Sequence, residues 1–318
     1  MQEDFGQEVF LTVHNRAGND IHLDAAGLRV DFDVRLVNGF NRGTFTIYNL
    51  TDESIKSVVG DDRYVSVTGK LHGREFLIAD TYYISNVLEE KVLPNSITTL
   101  YCYDQLRKEV LEKQLNITVV APSLRRVLNQ VSAEARFEGE IKYKSWPDGK
   151  LDHLSPRSVQ HFHGSFQSIV NNLQKQYNFN FFTDNGDLIC MYMPDSSDIN
   201  YTELNDKEPD VVLDSLNMRA NPKVGPASLF ITSNLDSNIK PSAVLDATKL
   251  ITVGVADGSG LETASDFLNH ATVGYTKFQV IASQHKGSNY TKEWKTVATA
   301  IAASKGKRMP TFSWQQGI

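Results

Sequence analysis

The chain has 318 residues, 41% of them hydrophobic and 22% charged, and a formal net charge of −6 at neutral pH. That composition belongs to an ordinary folded chain long enough for about two domains, and it excludes a largely disordered one. No apolar run of about 18 residues is present to cross a membrane as a helix, and the opening Met1-Gln2-Glu3-Asp4 is acidic and polar, unlike a secretory signal.

The first hundred residues read as strands. Val30, Phe32, Val34 and Leu36 alternate with Arg29, Asp31, Asp33 and Arg35, which puts an apolar set on one face and charges on the other. Asn38-Gly39 follows as a turn pair, and Phe45 and Ile47 alternate with Thr44, Thr46 and Tyr48 in an antiparallel partner. Thr51 caps a short helix bearing Ile55, Val58 and Val59. Strand patterns resume at Tyr64–Thr68, Phe76–Leu88 and Ile97–Tyr103, with Glu89-Glu90 and Pro94-Asn95 marking the last hairpin. Several strands with one short helix predict a closed or nearly closed barrel.

Near Asp104 the period changes. Asp104 is placed to cap a helix bearing Leu106, Val110 and Leu111. Pro122 and Ser123 start a second, whose stripe is Leu124, Val127, Leu128 and Val131, and a third carries Phe166, Ile169, Val170 and Leu173. Strands are expected at Ile141–Tyr143, Asn178–Phe182 and Leu188–Met193, the last two joined through Asp184-Asn185-Gly186-Asp187. Two similar helix-then-strand halves therefore fill residues 105–195, as a weak duplication or a coincidence. Strand patterns return at Val211–Leu216, Ala227–Thr232, Lys249–Val253 and Lys277–Ala282. The stretch 291–303 fits a helix through Trp294, Val297, Ala298 and Ile301, or a strand through Trp294, Thr296 and Ala298. The order β, α/β, β is met economically by a repeated barrel with a mixed module between the copies.

Little in the chain announces chemistry. Cys102 and Cys190 lie in apolar strand-like runs and read as buried thiols in a reducing compartment. His161 and His163 stand two apart in what reads as a surface loop, with no third ligand nearby for a metal. Asp61-Asp62 and Glu89-Glu90 read as solvated charges rather than an acid/base couple, and Asp257-Gly258-Ser259-Gly260 as a loop without phosphate-cradling spacing. No catalytic, cofactor-binding or metal-ligating residue is therefore nominated, and no cofactor is expected. The bases look scattered except for Lys305, Lys307 and Arg308, which argues against nucleic-acid binding as the main task.

Three ordered segments carry a resemblance. They are Ala26-Gly27-Leu28-Arg29-Val30-Asp31-Phe32-Asp33-Val34 with Thr46-Ile47-Tyr48-Asn49-Leu50-Thr51; Asn221-Pro222-Lys223-Val224-Gly225-Pro226 with Ser233–Pro241; and Phe278–Gly287 with Trp294-Lys295-Thr296. Together they resemble the baseplate hub, or late-control, family of contractile phage tails, related to the spike hubs of type VI secretion. The resemblance implies a mainly β chain with two tube-like β-barrel domains and an α/β middle module. The boundaries expected are 1–104 for the first barrel, 105–205 for the middle module, 206–303 for the second barrel and 304–318 for an extension. It implies that 291–303 forms a strand. It further implies a non-enzymatic homotrimer, a pseudo-sixfold ring joining the sixfold tail tube, or its initiator, to the threefold central spike. Tape-measure and wedge proteins are further implied partners. DNA passes through the lumen without specific binding, and no membrane insertion is implied. Such a protein belongs to the virion baseplate and is assembled in the host cytoplasm, with spike and lysozyme domains on separate chains. The alternatives are a tail-associated cell-wall glycan hydrolase and a glycan-binding tail-tip protein.

Overall fold

The computed structural model describes residues 7–15, 20–23, 28–39, 41–59, 63–71, 73–92, 94–104, 113–120, 123–137, 139–146, 149, 151–152, 159–184, 186–193, 208–220, 222–225, 228–252, 277–291 and 294–301. The expected helix over 106–111, the acidic pair Asp61-Asp62, the glycine-rich loop 257–260 and the extension 304–318 lie outside them.

The first β unit comprises β1 (Gln7–Asn15), β2 (Asp20–Leu23), β3 (Val30–Leu36), β4 (Arg42–Tyr48), α1 (Asp52–Val58), β5 (Arg63–Leu71), β6 (Arg74–Val92) and β7 (Asn95–Asp104). The alternation of β3 is realised: Val30, Phe32 and Val34 are buried while Asp31 and Asp33 are half-buried and Arg35 is exposed. In α1 the Thr51 hydroxyl accepts from the Ser54 amide at 3.2 Å, and Ile55 and Val58 enter the core. Val59, expected on that apolar stripe, ends the helix and is exposed. Asp104 is the last residue of β7, and the helix expected after it lies outside the described residues.

The middle module comprises β8 (Gln114–Val119), α2 (Leu124–Glu134), β9 (Ile141–Lys144), β10 (Gln160–Ser165), α3 (Phe166–Tyr177), β11 (Phe179–Asp184) and β12 (Asp187–Tyr192). Ser123 and Ser165 cap the two helices by accepting from Arg126 and Ser168 amides, and the predicted stripes of both are buried. β8 pairs with β10, while β12 lies between antiparallel β11 and parallel β9. The first half thus gives β8 to one small sheet and β9 to the other, and the second gives β10 to the first and both β11 and β12 to the second. The Asn38-Gly39 turn docks this module onto the first unit. Gly39, at φ +103°, donates its amide to Phe181 O at 2.8 Å, and Asn38 Oδ1 accepts from the Phe181 amide. Buried Asn41 adds an Nδ2 bond to Thr183 O at 2.6 Å.

The second β unit comprises β13 (Val211–Val212), β14 (Lys223–Gly225), β15 (Ser228–Asn234), β16 (Val244–Asp246), α4 (Thr248–Thr252), β17 (Lys277–Ser288) and β18 (Lys295–Ile301). Two sequence expectations change here. Val211–Leu216 is a strand only at its first two residues, because Asp214 Oδ1 accepts from the Leu216 amide and turns the chain into a 3₁₀ turn over Ser215–Asn217. Lys249–Val253, expected as a strand, begins inside α4, because Asp246 Oδ1 accepts from both the amide and the hydroxyl of Thr248 and starts a helical turn. The ambiguous stretch 291–303 holds strand β18, hydrogen-bonded to β15 on one side and β17 on the other.

The two β units share one thirteen-stranded sheet, in the order β14-β15-β18-β17-β3-β4-β7-β6-β5-β1-β2, with β16 on β17 and β13 on β16. Among the described residues these pairings form a path with β2 and β14 at its edges. The seam is β3 against β17, in register from Ser283↔Leu36 to Ser288↔Asp31. Each unit has its own core, and Trp294 and Leu235 of the second unit belong to the core of the first. Trp294 is fully buried, meets Phe32 edge-on at 5.4 Å and 89°, and donates Nε1–H to Ser288 O at 2.7 Å. Glycine is required on both sides of this ring pair. A Cβ at Gly287 would lie 2.6 Å from Phe32 Cζ, and one at Gly69 would lie 2.7 Å from Trp294 Cζ3.

Candidate functional site

Residues directly opposite each other in an antiparallel pair share one face of the sheet. The registers therefore place Lys295, Lys286, Asp33, Thr44 and Tyr101 in one row across the seam, on the face away from the core. Gln284, Arg35, Arg42 and Tyr103 form the neighbouring row. The result is a polar face that runs without interruption from the second β unit into the first. Five cations stand on it: Arg29, Arg35, Arg42, Lys286 and Lys295.

Two carboxylates offset that charge. Asp31 accepts from Arg29 Nε and Nη2 at 3.1 and 2.9 Å, and Asp33 accepts from Arg35 at 3.3 and 3.1 Å. Burial raises the Asp31 carboxyl, but hydrogen bonds from Arg29 and Ser288 outweigh it and hold the group below its ordinary value. Asp31 also accepts from Tyr48 OH at 3.2 Å, and Asp33 from Gln284 Nε2 at 2.7 Å, so each carboxylate is fixed from a neighbouring strand. Arg29 lies over the Tyr48 ring at 4.4 Å and Arg42 over Tyr103 at 5.9 Å. A shallow groove of about 340 Å³ follows the seam between Asp31, Asp33, Lys286 and Ser288. The surface is grooved, held by these hydrogen bonds and of mixed sign. Such a surface can pair with a neighbouring chain or border a passage.

On the core side of the same seam, His285 lies opposite Val34 and its Nδ1 is 3.0 Å from Thr296 Oγ1. Burial lowers its pKa to about 4, so the ring is neutral at physiological pH.

The fold beneath this face has counterparts. No protein-family model matches the sequence, and no curated protein matches it. Solved structures do match. A tail protein from Neisseria meningitidis MC58 superposes with a TM-score of 0.54 at 10% identity, over 93% of this chain and 98% of that one. The 43 kDa tail protein of prophage MuSo2 from Shewanella oneidensis gives 0.52 at 8% identity, over 92% and 98%. An Escherichia coli component of the type VI secretion system, the c3393 protein, described as structurally similar to the T4 bacteriophage tail proteins gp27 and gp5, gives 0.53 at 11% identity, over 89% and 76%. This chain has the fold of phage tail proteins.

His161 and His163 lie on strand β10 rather than in a loop, both exposed on one face, with His161 Nδ1 2.8 Å from Thr118 Oγ1. Among the described residues no three His, Cys, Asp or Glu side chains converge to hold a metal. Cys102 and Cys190 are free and buried, and burial pushes both thiols up. Glu89 and Glu90 stand exposed near the tip of the β6–β7 hairpin, with Lys91 Nζ 3.7 Å from Glu89. The basic cluster is what sequence reasoning missed. The arginines come from 29–42 and the lysines from 286–295, and only the β3–β17 pairing joins them.

Proposed function

We propose that this chain is a structural, non-enzymatic hub of a contractile-tail baseplate, in which three copies form a ring between the sixfold tail tube and the threefold central spike. The observation that carries the proposal is the seam. One chain supplies two β units joined strand to strand, so three chains supply six units around an axis while keeping threefold symmetry. The fold shared with the phage tail proteins and with the type VI secretion component supports the same reading. Copies extend the sheet around the ring through β2 and β14, which end the strand path among the described residues. The ring encloses the passage through which DNA leaves, and the paired Asp–Arg side chains of the seam face keep that region from being uniformly basic. The domain boundaries of this reading are 1–104, 105–205 and 206–303, with 304–318 an extension that docks on a partner.

The test is native mass spectrometry of the chain co-expressed with its spike. Three copies per complex, at three times the 35.6 kDa of one chain, are expected. A single copy per spike trimer would overturn the proposal. Cell-wall suspensions incubated with the purified chain keep their turbidity. A fall would establish the hydrolase alternative instead.

A further inference from the structure

A cleft between the two β units has no role in the reading above. It measures about 820 Å³, and in it Leu71 and Phe76 of the first unit face Leu235 and Ile239 of the second. Arg74 and Arg219 stand on its wall with one acid, Asp236. Arg219 is oriented by an Nε bond to Asn234 Oδ1 at 2.9 Å, and Asp236 Oδ1 accepts from the Asn238 amide at 2.9 Å. Apolar side chains continue outside it. Val212 is 42% exposed in the wall, and Leu216, next to the wall residue Asn217, is 84% exposed. An apolar floor with exposed apolar surroundings and an ordered guanidinium marks a contact surface.

The same chain carries a matching element. The end of the β6–β7 hairpin exposes Leu88 (42%) and Val92 (54%) around Glu89, Glu90 and Lys91. Two acids and one base on the hairpin mirror two bases and one acid in the cleft, and each side adds exposed aliphatic side chains. The internal Lys91–Glu89 pair is solvent-exposed and weak, so it gives way to partners of better geometry.

We propose that the hairpin tip of one copy seats in the inter-unit cleft of the next, with Glu89 and Glu90 against Arg74 and Arg219. The contact is heterologous, so successive copies meet head to tail and close into a ring when the rotation allows. The inference deepens the proposed hub by naming a contact between its copies, and it rests on that reading only for the count of three.

Charge exchange tests it. Arg74→Glu with Arg219→Glu, and separately Glu89→Arg with Glu90→Arg, each weaken self-association at least tenfold by analytical ultracentrifugation or reduce incorporation into particles. The chain carrying all four changes regains it, which general destabilisation does not produce. A covalent readout accompanies this. Both native cysteines are buried, so a chain with Lys91→Cys and Asn217→Cys reports only new contacts. Oxidised in assembled particles, it gives a ladder of linked copies, and neither single variant gives a ladder beyond dimer. A threefold ring with no ladder and no charge rescue overturns this inference and leaves the hub intact. A ladder with charge rescue but no threefold ring supports the contact and overturns the hub. A cleft filled by another segment of the same chain, or by a different protein, leaves the ladder absent and counts against the inference.

Discussion

Phe32→Ala removes the ring that joins the two β units. Phe32 is 2% exposed, meets Trp294 edge-on at 5.4 Å and has Gly287 directly opposite on β17. Losing a fully buried phenylalanine costs about 3–5 kcal/mol, which includes the cavity left behind. Roughly 0.5–1.5 kcal/mol of that belongs to the ring pair itself. In a chain of this size about 1 kcal/mol moves the midpoint by roughly 2 °C, so a fall of roughly 6–10 °C is expected. Thermal melts by circular dichroism measure it, with urea melts for the free energy. Arg35→Ala, on the opposite face of the same strand, serves as the control and shifts the midpoint by about 1 °C or less. The double variant with Trp294→Ala loses less than the sum of the singles, because the two rings share one cavity. A Phe32→Ala midpoint unchanged from wild type, or strict additivity with Trp294→Ala, would refute the packing assigned to the seam.

Four further outcomes follow from the same structure. Gly287→Ala places a methyl 2.6 Å from the Phe32 ring and costs about 1–3 kcal/mol in urea melts, although alanine is otherwise compatible with a strand. Stability falls on acidification through His285: the unfolded imidazole takes up a proton below about pH 6.5, whereas the buried ring resists until about pH 4. Stability is therefore full above pH 6.5 and is lost as the pH drops towards 4, by up to about 3 kcal/mol; His285→Gln flattens that part of the profile. Asn41→Ala leaves Thr183 O without its donor at the junction with the middle module and costs about 1–3 kcal/mol, seen as faster proteolysis between the first β unit and that module. Asp33→Asn, at a partly exposed ion pair, changes stability by about 1 kcal/mol or less.

Some of this architecture was legible in the residues. The alternation in Val30–Leu36 fixed which side chains of β3 enter the core, and the stripes Leu124–Val131 and Phe166–Leu173 located both helices of the middle module. Thr51 identified its cap because the capping hydroxyl acts within three residues. Period-two patterning says which face a strand buries but not which strand lies beside it. Nothing local announces that β17 pairs with β3 some 250 positions earlier, so neither the seam nor its basic face was visible. β8 was missed although Leu115, Ile117 and Val119 alternate with Gln114, Asn116 and Thr118, whereas β10 holds a single apolar residue, Phe162, between His161 and His163. Lys249–Val253 looked like a strand because Ile251, Thr252 and Val253 are β-branched, and the Asp246 carboxylate overrode that preference by starting a helical turn at Thr248. Trp294–Ile301 fitted two periods at once; hydrogen bonding to strands on both sides decided for β18, and Ala298 through Ile301 are buried without alternation.

Electron cryomicroscopy of assembled particles, with the chain located by its own density, examines the central assignment most directly. Six β units contributed by three chains, encircling an open axis immediately above the spike and joined within each chain through β3 and β17, is the arrangement expected. Six separate copies in that layer, one copy beside the axis, or a closed plug with no passage would contradict it.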